Sequence, residues 1–195
     1  MNPKEIYSVV AILLTFIGFY PYISSVFKGQ TKPHVFSWVI WGISTLVVFF
    51  AQLADDGGAG AWPTGVAAVV TFYVAFLAYA KRADVLITKS DWVFFLLALF
   101  SIPIWYFTSS PLWAVLILTL VDILGSIPTF RKAYYRPFDE NILFYLITGV
   151  RCFISILALE HFSVTTILFP AAIGVMCFAL IWILALRRKV SKGRF

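Results

Sequence analysis

Charged residues in this chain fall in short clusters, and between the clusters lie apolar runs of about 20 residues, the length of helix that spans about 30 Å of hydrocarbon. Few architectures tolerate that pattern. In lipid every backbone polar group must be bonded within the protein, so an apolar run of this length is read as a helix. The remaining composition agrees: 62% of the 195 residues are hydrophobic, 12% are charged and the mean hydropathy is +0.93. A soluble domain has no means of hiding so much apolar surface.

Seven runs are legible: Ile6 to Phe27, Pro33 to Leu53, Trp62 to Ala80, Trp92 to Phe107, Leu112 to Phe130, Asn141 to Leu159 and Thr165 to Leu186. The fourth is short and holds Pro103. The first is too long for the core of a signal peptide and has no small-residue cleavage site, so it reads as a span. Seven crossings sort the basic residues onto one side. Lys28, Lys32, Lys81, Arg82, Lys89, Arg131, Lys132 and Arg136 share it with Arg187, Arg188, Lys189, Lys192 and Arg194 of the tail, while the opposite side has Lys4 alone. The positive-inside rule then puts the N-terminus outside and the C-terminus in the cytoplasm. The short termini point to a bacterial inner membrane. Arg187 to Lys189 are expected to meet anionic lipid at the cytoplasmic face.

The net charge of +6 flanks spans and forms no soluble basic face, which argues against nucleic acid. Cys152 and Cys177 lie inside apolar runs, so no disulfide framework is expected, and no Cys/His spacing suits a metal. Gly57, Gly58 and Gly60 make an outer turn; no strand precedes them and no Lys-Ser/Thr follows, so they are not a phosphate loop. No cofactor motif, paired catalytic carboxylates or nucleophile–base pair is present, which leaves an enzyme without support. Retinal proteins need a lysine buried in the last helix, and the seventh run has none.

Shifting the chain against itself by 107 residues aligns Gly18 with Gly125, Pro21 with Pro128, Gly42 with Gly149, Pro63 with Pro170, and Lys81-Arg82 with Arg188-Lys189, without a gap. Glycine and proline carry backbone meaning, which gives their co-registration weight. The repeat covers runs one to three (residues 1–82) and five to seven (residues 111–195), leaving the fourth (residues 83–110) as a linker. A three-helix unit ends on the side opposite its start, so one extra crossing lets both copies run in the same direction, a parallel repeat about an axis along the membrane normal. The expected fold is therefore an all-α membrane protein of seven transmembrane helices, two parallel three-helix bundles joined by a linker helix.

This layout, with a proline near the cytoplasmic end of the first and fifth runs, resembles the SWEET and PQ-loop transporters. Gly18-Phe19-Tyr20-Pro21-Tyr22 and Gly125-Ser126-Ile127-Pro128-Thr129 stand where that superfamily has its Pro-Gln pairs, with Tyr22 and Thr129 in place of the glutamines. The third and seventh runs contain no asparagine, the residue that lines the sugar site in SWEETs. The resemblance implies a solute path between two three-helix bundles that alternate in access, for a sugar, amino acid or vitamin. It also allows a receptor of the same fold that binds a peptide or partner without moving it.

Asp122 and Arg151 are the only charges well inside runs. Asp122 lies about 13 Å from Arg131 and Arg151 about 15 Å from Asn141 along their helices, which puts both near mid-membrane. Such groups face the protein interior and find partners. One reading is a solute or proton site; the other is a salt bridge locking the fifth and sixth runs together. Trp41 resembles by depth the helix-2 tryptophan that stacks on substrate in SWEETs, and Thr148 is its repeat counterpart. An interfacial, lipid-facing tryptophan is the alternative for Trp41, and the one that suits Trp38. The candidate solute-binding set is Trp41, Ser44, Thr45, Asp122, Tyr145, Thr148 and Arg151. Pro21, Pro63, Pro128 and Pro170 are candidate hinges or static kinks. His34 reads as a wetted interfacial residue, and Gln52 as an outer-gate or snorkelled one. Two complete halves make one path per chain and leave a homo-oligomer open.

Overall fold

The computed structural model describes residues 2–29, 33–81, 89–138 and 140–192. Lys32, Arg82 and Arg194, and the side chains of Pro128, Lys132 and Lys192, lie outside the described residues. The rest is helical: α1 (Pro3–Phe27), α2 (Val35–Ala54), α3 (Trp62–Ala80), α4 (Lys89–Thr108), α5 (Pro111–Gly125), α6 (Ile127–Tyr135), α7 (Ile142–Leu157) and α8 (Val164–Lys192), with a short 3-10 turn, Gly58–Ala61, ahead of α3. Five segments are long and apolar enough to cross a membrane: Pro3–Phe27, Val35–Ala54, Gly58–Ala80, Pro111–Tyr135 and Val164–Val190. Trp92–Thr108 and Ile142–Leu157 are apolar but shorter. The polarity is that of a membrane protein: Ser44, Thr15 and Thr166 are buried, while Phe16, Val69, Phe76, Phe107 and Trp182 are exposed.

The helix starts follow from local chemistry. Asn2 and Glu5 form a capping box on α1, with Pro3 in its first turn. The His34 ring caps α2 by accepting from Ser37 N–H, and Asn141 caps α7 by accepting from Leu143 and Phe144 N–H. The fifth run is interrupted at Ser126, which separates α5 from α6. Pro128 has no N–H for the carbonyl of Leu124, so the helix breaks within the turn before it.

The helices close a ring. α1 packs on α3 and α7, α7 on α8, α8 on α5, α5 on α2, and α2 back on α3. α4 lies against α5 and α2. Moving along the chain by 107 residues exchanges α1 with α5, α2 with α7 and α3 with α8, and maps this ring of neighbours onto itself.

Two glycine–phenylalanine exchanges hold the closest pairs. A Cβ on Gly42 of α2 would meet the Phe72 ring of α3 at 2.8 Å, and one on Gly65 of α3 would meet the Phe49 ring of α2 at 2.9 Å. The other half repeats this: Gly149 of α7 faces Phe178 of α8 at 2.9 Å, and Gly174 of α8 faces Phe153 of α7 at 3.2 Å. Without a driving force from water, such helices associate through close packing at small residues. Gly42→Ala is expected to destabilise by about 1–3 kcal/mol through overpacking, and Phe72→Leu to recover part of the loss. A double-mutant cycle on thermal unfolding in detergent checks this; additive effects would refute the contact.

Candidate functional site

The two ends of the ring are built differently. At one end the turn between α2 and α3 is laced to the turn between α7 and α8. Ser163 Oγ donates to the Asp55 carboxylate. Glu160 N–H donates to Gly57 O at 3.2 Å, and Ala59 N–H to Glu160 Oε1 at 3.3 Å. His161 Nδ1 lies 3.0 Å from Asp55 O. Lys4 Nζ donates to Leu159 O at 2.7 Å and Leu157 O at 3.1 Å, covering carbonyls that the end of α7 leaves open. Gln52, entirely buried, donates from Nε2 to Thr166 O at 2.8 Å and ties α2 to α8. It is an internal tie between helices, not a snorkelled residue.

At the other end the closure is aromatic. Trp38 of α2 lies against Tyr22 and Phe19 of α1, with ring centroids 5.1 and 6.2 Å apart, and edge-on to Trp41 at 5.5 Å. Phe144 of α7 joins Phe19 at 5.8 Å. Trp38 is only 8% exposed, so the lipid-facing reading of this residue is corrected. Trp38 turns inward because α1 presents the rings of Phe19 and Tyr22 to it. Trp41 is half-buried, and its Nε1 lies 3.4 Å from where a Cβ on Gly125 would stand, so the indole reaches across to α5. Tyr145 donates its hydroxyl to Glu140 Oε2 at 2.6 Å. Arg188 reaches the same end, donating to Pro137 O at 2.9 Å and Glu140 O at 2.6 Å.

Between these closures lie the polar groups. Among the described residues, five buried side-chain atoms lack a hydrogen-bond partner: Ser44 Oγ, Gln52 Oε1, Thr119 Oγ1, Asp122 Oδ1 and Arg151 Nε. Thr119 and Asp122 share a face of α5, three residues apart, and Ser44 of α2 faces the Asp122 carboxylate. Thr119 escaped the sequence reading, although its spacing from Asp122 is the helical one. Thr45 is turned back on its own helix, its Oγ1 donating to Trp41 O at 2.7 Å. Thr148 is half-buried on α7.

The expected ion pair between Asp122 and Arg151 is not formed. Asp122 belongs to the α2–α5 seam, whereas α7, which carries Arg151, packs on α8 and α1. Arg151 Nη2 lies 3.4 Å from Cys152 Sγ. Its surroundings include a cavity of about 10 Å³ lined by Thr45, Thr64, Ala67, Cys152, Ser155, Phe169 and Pro170, room for about one water molecule. The pairing failed because adjacency in sequence is not adjacency in this ring: the repeat places α8 between α5 and α7.

The four prolines differ in consequence. Pro63 sits in the first turn of α3, where a missing N–H breaks no helix bond, so α3 is not interrupted there. Pro21 and Pro170 stand inside α1 and α8. Pro128 stands in α6, just after the break. Among the described residues no group of three or more His, Cys, Asp or Glu side chains could hold a metal ion.

No protein-family model matches the chain, and no curated protein or solved structure is significantly similar to it.

Proposed function

We propose that this chain is a membrane transporter that moves a small polar solute by alternating access between two three-helix bundles, α1–α3 and α5–α8. It crosses seven times, with α5 and α6 forming one broken span and α4 returning the chain. The observation that carries this reading is the ring whose neighbours exchange under the 107-residue shift, with unpartnered polar atoms of Ser44, Asp122 and Arg151 buried along its inner seams. Buried groups of this kind are costly in a membrane and mark solute or ion paths. A polar lacing closes one end and an aromatic cluster the other, as an occluded state requires. Proline-bearing α1, α6 and α8 supply places where a bundle can bend. The basic end, with Arg187 and Arg188, is the cytoplasmic one by the positive-inside rule, and meets anionic lipid there.

The test is counterflow in proteoliposomes against pooled sugars, amino acids and vitamins, with and without a pH gradient. Accumulation of at least one labelled solute is expected, and Arg151→Ala is expected to lower it tenfold or more. Uptake of every solute unaffected by that substitution would remove Arg151 from the path. No accumulation at all, together with tight binding of a protein or peptide, would replace the transporter reading with a receptor of the same fold.

A further inference from the structure

The separation of Asp122 from Arg151 leaves each charge to be met by other means, and their chemistry differs. The Asp122 carboxyl faces Ser44 of α2, and a carboxyl group can in general shed its charge by taking up a proton. A guanidinium has no such option, because it stays protonated in any protein setting. Arg151 nonetheless has its Nε buried and unpartnered, and its Nη2 meets only the weak acceptor Cys152 Sγ. No carboxylate bonds to it among the described residues, and all the side chains that line the cavity with it are uncharged. Arg151 as a whole is half-buried, and a cation drawn partly out of water with no anion beside it keeps an uncompensated desolvation cost. The lining explains what kind of anion would fit. Thr64 brings a hydroxyl, those of Thr45 and Ser155 already donate to Trp41 O and Cys152 O, and Ala67, Phe169 and Pro170 bring an apolar wall.

Resting on the transporter reading for its location between the two bundles, we propose that Arg151 is the anchor for the carboxylate of a small monoanionic solute, whose uncharged body lies against Phe169 and Pro170. The guanidinium offers a planar fork that matches a carboxylate with two parallel hydrogen bonds. The site lacks a second fixed charge, so it selects a monocarboxylate over a zwitterion, a dication or a neutral sugar. At about 10 Å³ the cavity is closed around its own water-sized space, so the solute enters when the seam opens.

The experiment is a binding measurement on the purified full chain in nanodiscs, independent of transport. Four acids, pyruvate, lactate, benzoate and nicotinate, are compared by calorimetry and thermal stabilisation with their amides, pyruvamide, lactamide, benzamide and nicotinamide. At least one acid is expected to bind, and its amide at least tenfold more weakly. Arg151→Gln should remove the preference for the acid, and Arg151→Lys should restore part of it. Lys189→Gln, at the exposed basic end of α8, should leave it unchanged, which separates Arg151 from a general attraction of anions to basic residues. Equal binding of acid and amide, or no binding of any acid, overturns the proposal, and this outcome on the native chain needs no variant to fold. If carboxylates bind through Arg151 but no solute shows counterflow, the transporter reading fails and the anchor stands. If neutral solutes are transported and no acid binds, the reverse holds.

Discussion

Gly60→Ala is expected to be among the most damaging single-methyl additions in the chain. The added Cβ would lie 2.4 Å from Leu159 N, 2.5 Å from Leu159 Cα and 2.7 Å from Ala158 C. All three are backbone atoms of the turn after α7, and that turn is itself fixed by Lys4 and by the Gly57–Glu160 bond. No side chain can swing aside, so the loss should reach the upper end of the roughly 1–3 kcal/mol typical of overpacking, or exceed it. Gly29→Ala is the matched control. Gly29 has φ of +70° but nothing within 4 Å of the added atom, so only the left-handed backbone is penalised, by about 1 kcal/mol. Thermal unfolding of the two variants in the same detergent compares them. Equal losses would mean that the two turns do not touch as described.

The second large effect is on movement. Asp55→Cys together with Ser163→Cys replaces a hydrogen bond between the α2–α3 turn and the α7–α8 turn with a covalent one. If the bundles must part at this end to admit solute, oxidation should stop counterflow nearly completely, and reduction should restore it. Each single variant should retain most activity, because the lacing also uses Glu160, Gly57 and Lys4. The native cysteines, Cys152 and Cys177, are buried and free, so they do not compete for the bond. Full crosslinking with undiminished uptake would show that this end does not open during transport.

Much of the helical architecture is legible in the sequence, because burial in lipid imposes a length on each apolar run. The break in the fifth run follows from the proline at 128, whereas the first helix begins at Pro3, ahead of the expected Ile6, because Asn2 and Glu5 cap it. The 107-residue repeat was legible too, through Gly42 and Gly149. Their purpose was not. The rings they accommodate, Phe72 and Phe178, come from other helices, and a single sequence does not say which helix faces which.

The candidate site shows the same division. Asp122 and Arg151 stand out in the sequence because ionisable groups are rare inside apolar runs, and Trp41 stands out by its depth, with the hydroxyls of Ser44 and Thr45 nearby. Depth along a helix is a local property, fixed by a rise of about 1.5 Å per residue. Partnership is not local. Asp122 and Arg151 lie on consecutive apolar runs, yet α8 stands between their helices in the ring. Trp38 differs from its expectation for a related reason: an indole near a helix end suits headgroups and aromatic cores equally, and only Tyr22 and Phe19 converging on it decide between them. The sequence by itself determined an all-α membrane chain of apolar helices with two charged residues inside the runs, since hydrophobic length and backbone chemistry act within each segment. Only the tertiary structure decided that those charges stand apart and that both ends are closed, since these depend on how rings and glycines from distant segments fit together.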